Sequence, residues 1–130
     1  MNDIMRARQM SPLTLAFLGD AVFELHVREK LAEKGSAPVG NLHRRAVSVV
    51  CAKAQSLAAD RIASLLTEEE LAVYKRGRNS HSSVPKNADP SEYRSATGLE
   101  ALFGYLHLCG SLERETELFE AIWKETGESR

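Results

Sequence analysis

Between Ser11 and about Lys34, apolar residues fall into two helical rows: Leu13, Phe17, Ala21 and Leu25 on one, Leu15, Leu18 and Val22 on the other. Together the rows cover most of a helix circumference, which predicts a central helix rather than a half-exposed one. Ser11 before Pro12 marks its start, a hydroxyl to cap free amides and a proline in the first turn where no amide partner is lost. Gly35-Ser36-Ala37-Pro38-Val39-Gly40 reads as a turn. Asn41 would then cap a second helix running to about Leu66. There Leu42, Ala46, Val49, Val50, Lys53, Leu57 and Ile62 share helical spacing, and Arg44, Arg45, Ser48, Gln55 and Ser56 take the other faces. Thr67 and Glu70 make a capping box that opens a third helix, to about Arg78. Asp89-Pro90 opens a fourth, Tyr93 to about Cys109, with Leu99, Leu102, Phe103 and Leu106 toward a core. After Gly110-Ser111 the last helix, to about Thr126, carries Leu112, Leu118, Phe119, Ile122 and Trp123 on one face. Five helices and no strand pattern predict an all-α domain without repeats or heptads.

Between the third and fourth helices the periodicity stops. Gly77 to Ala88 is rich in turn formers, and its basic residues border small hydroxyl and amide side chains. That mixture suits phosphate and ribose oxygens, and it equally suits a plain surface loop.

The chain has 130 residues, 43% hydrophobic and 27% charged, which fits one soluble domain, 1–130, with a core at about 11–126. No apolar run reaches bilayer length, and Met1 to Arg6 lacks the apolar core of a secretory signal. Cys51 and Cys109 have no metal-ligand spacing, and two free thiols suit the cytoplasm. A net charge of −1 alone argues against a polyanionic partner, but the charge is uneven. Residues 35–66 and 71–90 each carry a local +3 (four bases, one acid), and residues 111–130 carry −3 (three bases, six acids). Local fields of this kind can steer a polyanion.

Two acids stand out. Asp20 lies among apolar residues beside Gly19, and a helical glycine costs about 1 kcal/mol relative to alanine. That cost is reasonable where something approaches the backbone closely. Glu100 lies in a row with Tyr93, Ala96, Thr97, Gly104 and His107, where small residues leave room around its carboxylate. Asp20 could pair with an arginine or point to solvent. If the two helices instead bring Asp20 and Glu100 together, a cation would stabilise the pair at neutral pH. Few protein oxygens and several retained waters are the habit of Mg²⁺, an ion that supports phosphodiester hydrolysis. Spacing alone is a weak signal for this, since most helical proteins have two acids on two helices.

The motifs around these acids are more specific. Phe17-Leu18-Gly19-Asp20-Ala21-Val22 resembles the core of the ribonuclease III signature, and Thr97-Gly98-Leu99-Glu100-Ala101-Leu102-Phe103-Gly104 resembles that family's second acidic motif. The resemblance covers nearly the whole chain. It is greatest to the mini-ribonuclease III branch, through Tyr74-Lys75-Arg76-Gly77-Arg78-Asn79 and Pro85-Lys86-Asn87.

The resemblance implies a ribonuclease-III-like helical domain in which Asp20 and Glu100 are the catalytic, metal-binding acids for Mg²⁺, with Mn²⁺ a substitute. The activity implied is endonucleolytic cleavage of double-stranded RNA to 5′-phosphate and 3′-hydroxyl ends, in maturation of precursor 23S ribosomal RNA. A ribosomal protein is a possible aid to substrate folding. The implied assembly is a homodimer with Phe17 at the contact, although Phe17 could also be an ordinary core residue. Two positions depart from the larger family, which has acids where this chain has Ala16 and Thr97. They fit a lean site completed by water or RNA oxygens, or a non-catalytic RNA-binding dimer acting in ribosome assembly. No appended RNA-binding domain is expected, so RNA affinity falls to Lys75, Arg76, Arg78, Asn79, Lys86 and Asn87, helped by Arg44 and Arg45. His26, His43, His81 and His107 share no ligand spacing. None is assigned as metal ligand or base, His107, one turn beyond Gly104, being the best placed of them for such a role, and Tyr93 and Arg94 are explained as well by capping and packing as by RNA contact.

Overall fold

The computed structural model describes residues 3–80 and 83–129. Seven α-helices follow one another there: α1 (Asp3–Gln9), α2 (Pro12–Glu33), α3 (Val39–Val50), α4 (Ala52–Ile62), α5 (Glu68–Arg78), α6 (Pro90–Leu108) and α7 (Leu112–Trp123). Short 3₁₀ turns at Ala63–Leu65 and Gly127–Ser129 complete the regular structure. The described residues contain no strand.

The hub is α6, not α2 as the apolar rows predict. From Ala96 to Leu106 every residue of α6 is buried except Glu100. A helix that is apolar or small all round has no solvent face, and α6 is packed by α1, α2, α4, α5 and α7. Its glycines allow this crowding. A Cβ on Gly98 would fall 2.8 Å from the Tyr74 carbonyl oxygen on α5, and one on Gly104 would fall 2.0 Å from the Leu15 carbonyl oxygen on α2. Phe23, Phe103 and Phe119 meet edge-on beside this crossing, with Phe23 5.3 Å from Phe103 and 5.5 Å from Phe119 between ring centroids.

Helix α2 buries only one of its two rows. Leu15 and Val22 are inside and Leu18 is half-buried, while Leu13, Phe17, Ala21 and Leu25 face outward. The composition of the second row carries no information about which neighbour, if any, covers it.

The predicted second helix is two helices. Cys51 is extended (φ −64°, ψ 157°), ending α3 and capping α4. The break lets α3 lie on α2 and α4 lie on α6. It also shifts the helical phase, so Gln55 is 2% exposed and Leu57 is 47% exposed, the reverse of the expected faces. The N-terminal helix α1, outside the expected core, is held by fully buried Ala7 and by Arg8, whose Nε donates to Glu69 Oε1 at 2.9 Å.

Candidate active site

Gly19 and Gly104 bring α2 and α6 into backbone contact. A Cβ on Gly19 would stand 1.6 Å from the Glu100 carbonyl oxygen and 2.8 Å from the Gly104 nitrogen. No side chain fits between helices that close. The approach expected from Gly19 is therefore made by α6 itself, at Glu100. Because Asp20 follows Gly19, the crossing that sets the backbones together also sets the two carboxyl groups within hydrogen-bonding reach of each other.

The pair is asymmetric. Asp20 is exposed, contrary to its apolar sequence context, and Glu100 is half-buried. Burial pushes the Glu100 carboxyl from its ordinary 4.5 to about 8; the Asp20 charge and a hydrogen bond with Asp20 push the same way. The nearby Gln55 amide opposes the rise. Two adjacent carboxyls, one of them resisting ionisation, suit a divalent cation, whose charge would remove the repulsion. The surroundings add no third acid. Ala16 is a buried methyl, and the buried Thr97 hydroxyl donates to the Tyr93 carbonyl at 3.0 Å. Among the described residues no group of three or more His, Cys, Asp or Glu could hold a metal ion. An ion here would have two protein carboxylates and otherwise water or substrate oxygens, a donor set that fits Mg²⁺.

Residues 13–111, which span both acids, match the family model described as the ribonuclease III domain. The chain belongs to the ribonuclease III family. Its relatives in the mini-ribonuclease III branch include Mini-ribonuclease 3 of Symbiobacterium thermophilum, 49% identical over 86% of this chain and 87% of that one. Mini-ribonuclease 3 of Enterococcus faecalis is 45% identical over 94% and 95% of the two chains. A Fusobacterium nucleatum protein of known crystal structure superposes with a TM-score of 0.82 at 33% identity, covering 95% of this chain and 98% of its own. The all-α fold is thus that of ribonuclease III relatives, and the chain is an endoribonuclease of that family.

In this ribonuclease III the other candidate residues lie on several surfaces. Phe17 is 84% exposed on the outward row of α2. Lys75 and Arg76 are exposed on the last turns of α5, where Arg76 Nη2 donates to the Met10 carbonyl at 3.3 Å. Arg78 lies over the Tyr74 ring, 5.7 Å from its centroid, and donates to Asn79 Oδ1 at 3.3 Å. Lys86 and Asn87 are exposed in the following loop, and Arg94 shares an open hollow with Arg78, Ser91 and Ser95 at the start of α6. Tyr93 is half-buried. On α3, Arg44 donates to Asn41, and Arg45 pairs with Glu128 at 3.0 Å. His81 lies outside the described residues.

Two arrangements were invisible in the spacing. Gln55 is buried where α4 packs on α6, and buried Glu115 is bonded by both His26 and His107, at 3.0 Å from His107 Nδ1. The second ties α2, α6 and α7 together and accounts for His107 without a catalytic role. Among the described residues no helix is long and apolar enough to cross a membrane.

Proposed function

We propose that this ribonuclease III hydrolyses phosphodiesters of double-stranded RNA with Mg²⁺ held by Asp20 and Glu100, leaving 5′-phosphate and 3′-hydroxyl ends, Mn²⁺ being a workable substitute. The observation carrying this reading is the meeting of the two carboxyls at the glycine crossing. The ion, when bound, would supply Lewis acidity and charge neutralisation at the scissile phosphate. The chain's own task is to hold the carboxyls together and keep one of them partly dry. Glu100 must lose its proton to take up a cation, so proton and ion compete for one carboxyl.

Two surfaces support the rest of the reading. The outward row Leu13, Phe17, Ala21 and Leu25 gives a second copy an apolar seat, with Phe17 as anchor, in a homodimer that would cut both strands. Lys75, Arg76, Arg78, Asn79, Lys86 and Asn87, with Arg44, offer donors to phosphate. The place of the mini-ribonuclease III branch in the family, rather than geometry, points to precursor 23S ribosomal RNA in the cytoplasm, with a ribosomal protein as a candidate aid.

The test is incubation of the purified protein with long duplex RNA, with and without Mg²⁺, followed by analysis of the ends. Cleavage should require the ion, and Asp20→Asn should bind RNA without cutting it. Substantial turnover by Asp20→Asn would refute the assignment.

A further inference from the structure

We infer that Glu115 is a positioning residue for Asp20 and Glu100: from α7 its carboxyl ties His26 of α2 to His107 of α6, and so holds the angle at which the two acid-bearing helices cross. The inference rests on the two-acid reading above.

The bonds form a bridge. His26 Nε2 meets Glu115 Oε2, and His107 Nδ1 meets Oε1 at 3.0 Å. As a carboxylate Glu115 can only accept, so both ring nitrogens carry the protons. Its side chain is 6% exposed. The His26 ring is fixed further by stacking on Phe119, with 4.8 Å between centroids. For stability alone an acid is a poor choice here, since well-packed apolar residues of similar volume often serve an interior as well or better. What the carboxylate adds is direction, two hydrogen bonds aimed at two different helices.

That direction matters because of how α2 and α6 meet. Gly19 and Gly104 put the two backbones in contact at one crossing. A contact at one place sets the distance between two rods and leaves their angle to be fixed elsewhere. Apolar packing around the crossing favours closeness and is non-directional. His26 stands seven residues beyond Gly19, about 10 Å along α2, and His107 three residues beyond Gly104, about 4.5 Å along α6. Glu115 closes a triangle on those two points. Asp20 and Glu100 lie at the crossing itself, where a turn of one helix against the other displaces their carboxyls.

The experiment measures Mn²⁺ binding to the full chain without RNA, by calorimetry and by the electron paramagnetic resonance of free aqueous Mn²⁺, beside RNA binding in EDTA. Glu115→Leu keeps the bulk and removes both bonds. It should weaken Mn²⁺ binding about tenfold, within the range by which residues along a packed network modulate a distant site, and leave RNA binding unchanged. Glu115→Gln can accept from one imidazole and donate to the other, and should restore most of the parent's Mn²⁺ affinity. Arg114→Ala is the stability control. It undoes the neighbouring tie of α7 to Glu70 of α5 and should leave Mn²⁺ affinity unchanged. If the leucine variant does not fold, His107→Ala, at a side chain 44% exposed, releases the α6 end alone and gives the same readout. Unaltered Mn²⁺ affinity in Glu115→Leu, with affinity lost in Asp20→Asn and Glu100→Gln, would overturn this assignment alone. Unaltered affinity in all three would overturn the two-acid reading with it. An equal loss in Arg114→Ala, or a glutamine variant as weak as the leucine one, would make Glu115 a packing residue and also overturn the assignment.

Discussion

Gly19 rests on the carbonyl of Glu100 so closely that a Cβ at residue 19 would lie 1.6 Å from that oxygen. The neighbouring atoms are backbone, which cannot swing aside as a side chain can. Gly19→Ala must therefore separate α2 from α6, at a cost above about 3 kcal/mol. Displacing Asp20 by about 1 Å is enough to lower turnover roughly 100-fold. Circular dichroism melts and duplex-cleavage rates should fall together. Gly40→Ala is the control, since a Cβ there meets only the flexible end of Arg44 at 3.6 Å. That change should be neutral or stabilising by up to about 1 kcal/mol.

Burial and the neighbouring Asp20 raise Glu100 from 4.5 to about 8 in the ion-free protein. Between those values the folded chain binds more protons at this site than the unfolded chain does. Its stability contribution is therefore complete below about pH 4.5 and is lost as pH rises toward 8, with a slope of at most about 1.4 kcal/mol per pH unit. Thermal midpoints measured in EDTA across this window should decline, and Glu100→Gln should flatten the decline. Mg²⁺ affinity should rise over the same window as the proton is displaced. An identical pH profile in Glu100→Gln would assign the slope to other groups.

Glu70 and Arg114 form a second pair far apart in sequence. Arg114 donates from Nε and Nη2 to the two Glu70 oxygens, each at 2.8 Å, and from Nη2 to the Leu65 carbonyl at 2.6 Å. Glu70 is buried and also closes the Thr67 capping box. The Arg114 guanidinium holds the Glu70 carboxyl below its ordinary 4.5, so the pair stabilises above that pH and weakens as pH falls through the lowered value. Arg114→Ala leaves a buried carboxylate without its cation and should cost about 3 kcal/mol in urea unfolding at neutral pH. A loss below about 1 kcal/mol would place the pair with ordinary surface bridges.

The starts of α2, α5 and α6 were legible because capping is local chemistry. Ser11 Oγ accepts from the Thr14 amide at 3.1 Å, Thr67 Oγ1 from Glu70 at 3.1 Å, and Asp89 Oδ1 from Glu92 at 3.0 Å. The break at Cys51 carries no proline or glycine. It arises because α3 and α4 are claimed by different neighbours, and the misplacement of Gln55 and Leu57 follows from it. Asp20 and Glu100 were found by motif, and Gly19 announced a close approach. Only the fold supplies the partner and the asymmetry of burial. The Glu115 cluster joins His26 and His107 across 89 and 8 residues, which no periodicity encodes.

Phe17 makes the outward row of α2 testable. At 84% exposure it contributes little to the monomer core, so Phe17→Ala should keep its helical spectrum and melt within about 1 kcal/mol of the parent. If the row seats a second copy, truncating the central aromatic should weaken self-association by about 2 kcal/mol or more, some thirtyfold. Sedimentation velocity at micromolar concentration reads this directly. A parent chain that is monomeric there, or a variant that dimerises equally well, would move the interface off α2.

Arg76 and Arg78 stand on the last turns of α5, and neither is paired with a carboxylate: Arg76 donates to the Met10 carbonyl at 3.3 Å, and Arg78 lies over the Tyr74 ring and donates to Asn79 at 3.3 Å. Such guanidiniums are available to phosphate, whereas Arg45 is engaged by Glu128. Each phosphate contact releases counterions, so losing one lowers the slope of log affinity against log salt by roughly one unit. Arg76→Ala combined with Arg78→Ala should therefore weaken duplex binding most at low salt and reduce the slope by about two. Arg45→Ala should leave the slope unchanged and lower stability instead. A double variant with the parent's slope would place the RNA path away from the end of α5. A reduced slope in Arg45→Ala would place that path across α3.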